Sequence, residues 1–89
     1  MTILHSQINE REGNDAWFID KIQIIMEDGE LILRHKINHK GWNGDIKETR
    51  EINLDEYASM EDKQMRVNKY MENECLTPEM TIPNLLELI

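Results

Sequence analysis

The chain has 89 residues, ten Lys and Arg against eighteen Asp and Glu, and a formal net charge of −8. Its length sets one domain, residues 1–89, with a small core and little room for a walled pocket, and its 39% hydrophobic and 31% charged residues are a globular balance rather than a disordered one. No basic-then-apolar leader and no long apolar run is present, so a cytoplasmic protein without a membrane span is the expectation.

Residues 2–9 alternate too weakly to separate strand from helix, and Asn9 to Ala16 reads as a polar loop around Gly13. Trp17 to Met26 is rich in aromatic and β-branched residues and reads as a strand. Asp28-Gly29 between two apolar runs is a strong hairpin signal, with Leu31 to Ile37 as the partner strand. A type I′ turn there sets the register. Met26 then faces Leu31, Ile24 faces Leu33 and Ile22 faces His35 on an apolar face, while Ile25–Ile32, Gln23–Arg34 and Lys21–Lys36 form a mostly polar one. Asn38 to Asp45 reads as a loop, and Ile46 to Ile52 as a charged third strand at a sheet edge.

Asn53 and Ser59 both offer helix N-caps, with Glu56 and Asp62 three residues on, so a helix from about Leu54 to Glu74, broken near Ser59, is expected. Met60, Gln64, Val67, Met71 and Cys75 fall on one helical face. Thr77-Pro78-Glu79 and Ile82-Pro83 stop the helix, and Pro83 can open a last turn over 84–89. The resulting fold is α+β: a small antiparallel three-stranded meander, hairpin plus edge strand, followed by one long helix packed on one face. The C-terminal segment 77–89 is too apolar to hang in water, so it packs back or serves an interface.

No cofactor motif is present, and no catalytic or metal site is expected. His35 and His39 are four apart at the end of a strand, without the close-spaced ligand pairs of a zinc site. Cys75 is the one cysteine, near a helix C-terminus and beside Glu72 and Glu74, a setting that suppresses the thiolate and reads as packing.

Charge carries the functional reading. Residues 51–89 hold nine acids against Lys63, Arg66 and Lys69. Glu48, Glu51, Asp55, Glu56, Glu61 and Asp62 are expected to form one acidic partner-binding face. The segment 34–50 is the local exception. Arg34, Lys36, Trp42, Lys40, Lys47 and Arg50 form an alternative contact loop around an aromatic tip.

The expected function is a small acidic non-enzymatic binding protein that meets a basic surface of a host protein, such as a nucleic-acid-binding complex. The abundance of Ile and Asn with only two Ala, a mark of A+T-rich coding, suits a phage or mobile-element inhibitor of the anti-CRISPR or anti-restriction type. The alternative is a structural or regulatory module that forms a homodimer. The third is a nucleic-acid-binding module using 34–50, which the net charge disfavours.

Overall fold

The computed structural model describes residues 1–13, 15–41, 44–77 and 79–89. Four strands, β1 (Thr2–Gly13), β2 (Ala16–Glu27), β3 (Glu30–Gly41) and β4 (Gly44–Asn53), form an antiparallel sheet in sequential order. A 3-10 turn (Leu54–Glu56), the helix α1 (Met60–Asn73) and a short helix α2 (Leu85–Leu88) follow.

The β2–β3 hairpin has the expected register. Met26 pairs with Leu31, Ile24 with Leu33, Ile22 with His35, and Lys21 with Lys36. Asp28 and Gly29 both take positive φ, 52° and 79°, as a type I′ turn requires. The fourth strand is a departure from the expected meander of three. Residues 2–9 are strand, and β1 continues to Gly13, into the segment read as a polar loop. Residues 38–41, also read as loop, continue β3 and pair with β4 through Asn38–Lys47, His39–Ile46 and Lys40–Asp45. The physical reason is composition at the sheet's rim: polar side chains such as His5, Gln7, Asn38 and His39 take half-buried positions, and beyond them the strands are exposed, so the apolar period-2 alternation that marks a strand is broken.

Alternation divides the sheet into two faces. The inner face carries His5 and Gln7 from β1, Ile22 and Ile24 from β2, and Leu31, Leu33 and His35 from β3, with Arg50 and Ile52 from β4. Its apolar members join Leu54, Val67, Tyr70, Met71, Leu76, Met80 and Leu85 in the core. A register shift between Ile3 and His5 admits an extra residue in β1, and Leu4 packs against that core. The outer face carries the rows Ile3–Ile25–Ile32, Gln23–Arg34–Glu51 and Lys21–Lys36–Thr49. There the Arg34 guanidinium stretches from Glu27 on β2 (3.1 Å) to Glu51 on β4 (3.0 Å).

The expected long helix is two pieces. Asn53 Oδ1 accepts from the Asp55 N–H and caps only the 3-10 turn, while Ser59 Oγ accepts from the Asp62 N–H and caps α1. Val67 and Met71 are buried as the helical face predicts, but Cys75 lies past the helix end, exposed, at φ 56°. The Leu76 N–H bonds Met71 O and the Cys75 N–H bonds Glu72 O, a Schellman close that places Cys75 at the left-handed C′ position and Leu76 back in the core.

The C-terminal segment is tied to both layers. Gln7 brackets Thr81, donating to its carbonyl and accepting from its N–H. Gln64 on α1 accepts from the Leu85 N–H at 2.8 Å and donates to Pro83 O at 2.9 Å. Leu85 is fully buried, while Leu86 and Ile89 stay exposed.

Strand and helix lengths differ in a way that matters for the sites. Twelve strand residues span about 40 Å, and the molecule is 43 Å long. Fourteen helical residues span about 21 Å. The chain leaves β4 at the β2–β3 turn end, where Asp55 Oδ2 accepts from the Leu31 N–H, so α1 covers the proximal half of the inner face. The distal half, with Ile46 exposed, has no helix over it. Among the described residues no helix is long and apolar enough to cross a membrane.

Candidate functional surfaces

Where the helix-covered half of the inner face ends, three polar side chains meet inside the protein. Asp20 on β2 lies diagonal to His35 on β3, and its Oδ1 is 2.9 Å from His35 Nε2. His35 Nδ1 is 2.6 Å from the Tyr70 hydroxyl on α1. Their exposures are 4, 2 and 8%. The pairing assigns the tautomer: the His35 Nε2–H donates to Asp20, which leaves Nδ1 to accept from the Tyr70 O–H. Burial, the larger influence, raises the Tyr70 phenol above its ordinary range against the opposing effect of Arg50. Arg50, placed by Glu48 at 3.2 Å and Glu74 at 2.9 Å, is held firmly protonated, chiefly by Glu48.

This chain of hydrogen bonds ties β2, β3 and α1 together. His39, read beside His35 as a histidine pair, stacks edge-on against Phe18 at 4.8 Å, with its Nε2 3.8 Å from Asp20 Oδ1, beyond hydrogen-bond reach. Among the described residues no cluster of His, Cys, Asp or Glu is arranged to hold a metal ion.

The expected acidic face divides. Asp55 and Glu56 lie in the 3-10 turn, and Glu61 and Asp62 in the first turn of α1. Two more acids belong with them. Glu30 Oε2 accepts from Asn53 Nδ2 at 2.9 Å, and Asp28 sits in the adjoining turn. Asp28, Glu30, Asp55, Glu56, Glu61 and Asp62 are all exposed. None of the six has a cationic partner within 4 Å among the described residues. Glu48 and Glu51 stand elsewhere, on opposite faces of β4, each bonded to an arginine.

In the segment 34–50, residues 34–41 belong to β3 and 44–50 to β4. Trp42 lies outside the described residues. Arg34, Lys36, Lys40 and Lys47 fall on the outer face and Arg50 on the inner. The outer face also gathers Lys21, directly opposite Lys36, and Trp17, directly opposite Lys40, whose ammonium lies 5.5 Å from the indole centroid. The hairpin register already places Lys21 there; Trp17 comes with the distal extension of β3, which the sequence hides.

The chain was compared with protein-family models, curated proteins and solved structures, and none of the three gives a match.

Proposed function

We propose that the protein is a non-enzymatic binding protein that docks its acidic proximal end on a basic protein surface. One observation carries the reading: six exposed carboxylates from the β2–β3 turn, the 3-10 turn and the start of α1 collect at one end without a cationic partner among the described residues. Unneutralised charge of one sign steers encounter with the opposite sign and speeds capture. In its finer form the reading is an inhibitor of phage or mobile-element origin that occupies a basic groove of a host nucleic-acid machine. The carboxylates then stand where phosphates would. The A+T-rich residue usage supports that origin.

The test is Glu56→Lys with Glu61→Lys, which moves the net charge from −8 to −4 by two reversals of two units each. Asp55 is left in place because it accepts the Leu31 N–H. Association rates are measured against proteins captured from bacterial lysate, at about 50 and 200 mM salt. The wild-type rate falls as salt rises and the reversed protein associates more slowly at low salt. Binding that ignores salt and reversal alike refutes the acidic end.

A second reading is favoured by a separate feature. Leu86 is 72% and Met65 49% exposed, and both line a groove of about 480 Å³ with Met60 between α1 and α2. Apolar surface of this kind suits a module that dimerises, and its association strengthens or holds as salt rises.

A further inference from the structure

The outer face of the sheet carries charge of the opposite sign to the proximal end. Lys21 and Lys36 stand directly opposite each other on β2 and β3. Two like charges in that position repel, and folding alone gives no reason to place them there. Lys47 joins them from the next row, opposite Asn38. The three line a shallow groove of about 440 Å³ with Ile19, Asn38 and Thr49, and Glu48, which Arg50 holds, also lines it. Acids outnumber bases eighteen to ten in this chain, so an unneutralised base is unexpected. Arg34 and Arg50 each hold two carboxylates, yet among the described residues none of these lysines has one within 4 Å.

Trp17 lies on the same face of β2, two residues beyond Ile19 and four from Lys21, or about 13 Å along the strand. It is 38% exposed and carries the Lys40 ammonium over its ring. A helix-free sheet face with a line of ammonium groups and an aromatic platform beyond it matches the two requirements of a single-stranded nucleic acid: phosphate contact and base stacking. An extended acidic peptide is the poorer fit. It would gain backbone hydrogen bonds at a sheet edge, which a sheet face cannot give, and it has nothing to stack on Trp17.

Net charge does not forbid this. Lys21 is seven strand residues from Asp28, about 23 Å, which exceeds two Debye lengths at about 0.1 M salt. Glu10 and Glu12 on β1 and Asp45 on β4 border the stripe and hold the affinity down. We propose that the outer sheet face binds single-stranded nucleic acid, with Lys21, Lys36 and Lys47 on phosphates and Trp17 under a base. This is independent of the acidic end, which lies elsewhere on the molecule.

The test is fluorescence anisotropy of labelled oligo(dT) and oligo(U) with the intact chain. Both bind at about 50 mM salt, and the log–log salt slope is about −2, the value for three phosphate contacts on a single strand. Lys21→Gln with Lys36→Gln weakens binding at least about tenfold and brings the slope to about −0.7, while the thermal midpoint holds or rises because a repulsion has been removed. Trp17→Leu weakens binding by about fivefold or more with the slope unchanged. Absence of binding at low salt, equal binding by the double lysine variant, or equal competition by a polyglutamate peptide each overturns the proposal.

Discussion

Tyr70→Phe isolates the polar tie between sheet and helix. The phenyl ring keeps its packing and only the hydroxyl is lost. That hydroxyl donates to His35 Nδ1 at 2.6 Å, inside a site where His35 is 2% exposed. Without it the ring nitrogen is a buried acceptor with no partner, and the cost is the desolvation of that group, about 1–3 kcal/mol. In a domain of this size each kcal/mol moves the melting midpoint by about 4–8 °C, so the variant melts well below wild type. Urea unfolding followed by circular dichroism measures the difference. A second arm uses pH. Burial raises the Tyr70 phenol above its ordinary value of 10.0. Past pH 10 the unfolded chain therefore loses that proton before the folded one does, and wild-type stability declines. The Phe variant lacks this component, so the gap between the two proteins narrows as pH rises. A midpoint within about 0.5 kcal/mol of wild type, the range of an ordinary surface change, refutes the tie, as does a gap that is constant with pH.

Three further outcomes follow from local geometry. Cys75→Gly stabilises by about 0.5–1 kcal/mol: relief of a left-handed residue gains about 1–2, and added freedom of the unfolded chain returns part of it; the denaturant midpoint measures it, and an unchanged or lower value rejects the Schellman position. Gly29→Val costs at least about 1 kcal/mol on the same measurement, because φ is 79° and a β-branched residue resists it although nothing lies near its Cβ. Burial lowers His5 from 6.5, so as pH falls through 6.5 the unfolded chain takes up that proton first and stability declines; His5→Gln makes the acid decline shallower, and an identical profile would show that His5 does not contribute.

The β2–β3 hairpin was legible because two signals agree there: Asp28-Gly29 demands a primed turn, and the apolar residues alternate in phase with it. The rest of the sheet was hidden for a physical reason. In 10–13 both faces are exposed, and in 38–41 polar side chains fill every non-glycine position although Asn38 and His39 are half-buried, so both stretches mimic a loop. The helix start at Ser59 was legible from its cap, and so was the break before it. His35 could be placed on the inner face, and Asp20 is one diagonal step away in the same register. Tyr70 could not be assigned to them, because that contact depends on where α1 crosses the sheet. The acidic end was half legible. Asp55, Glu56, Glu61 and Asp62 are near in sequence, whereas Asp28 and Glu30 join them only because β4 exits beside the β2–β3 turn.

The sequential order of the four strands has a kinetic consequence. Every strand pairs with its neighbour in the chain, so the sheet closes only short loops and can grow by zippering from the Asp28-Gly29 turn outward. The slow contacts are those that close the chain on itself. The Gln7–Thr81 bracket joins residues 74 apart, and Tyr70 must find a His35 already set in its ladder. In pulse-labelled exchange the amides of Ile25 and Ile32 gain protection early and that of Thr81 late. Substitutions that weaken the Gln7 bracket accordingly speed unfolding and leave the folding rate nearly unchanged.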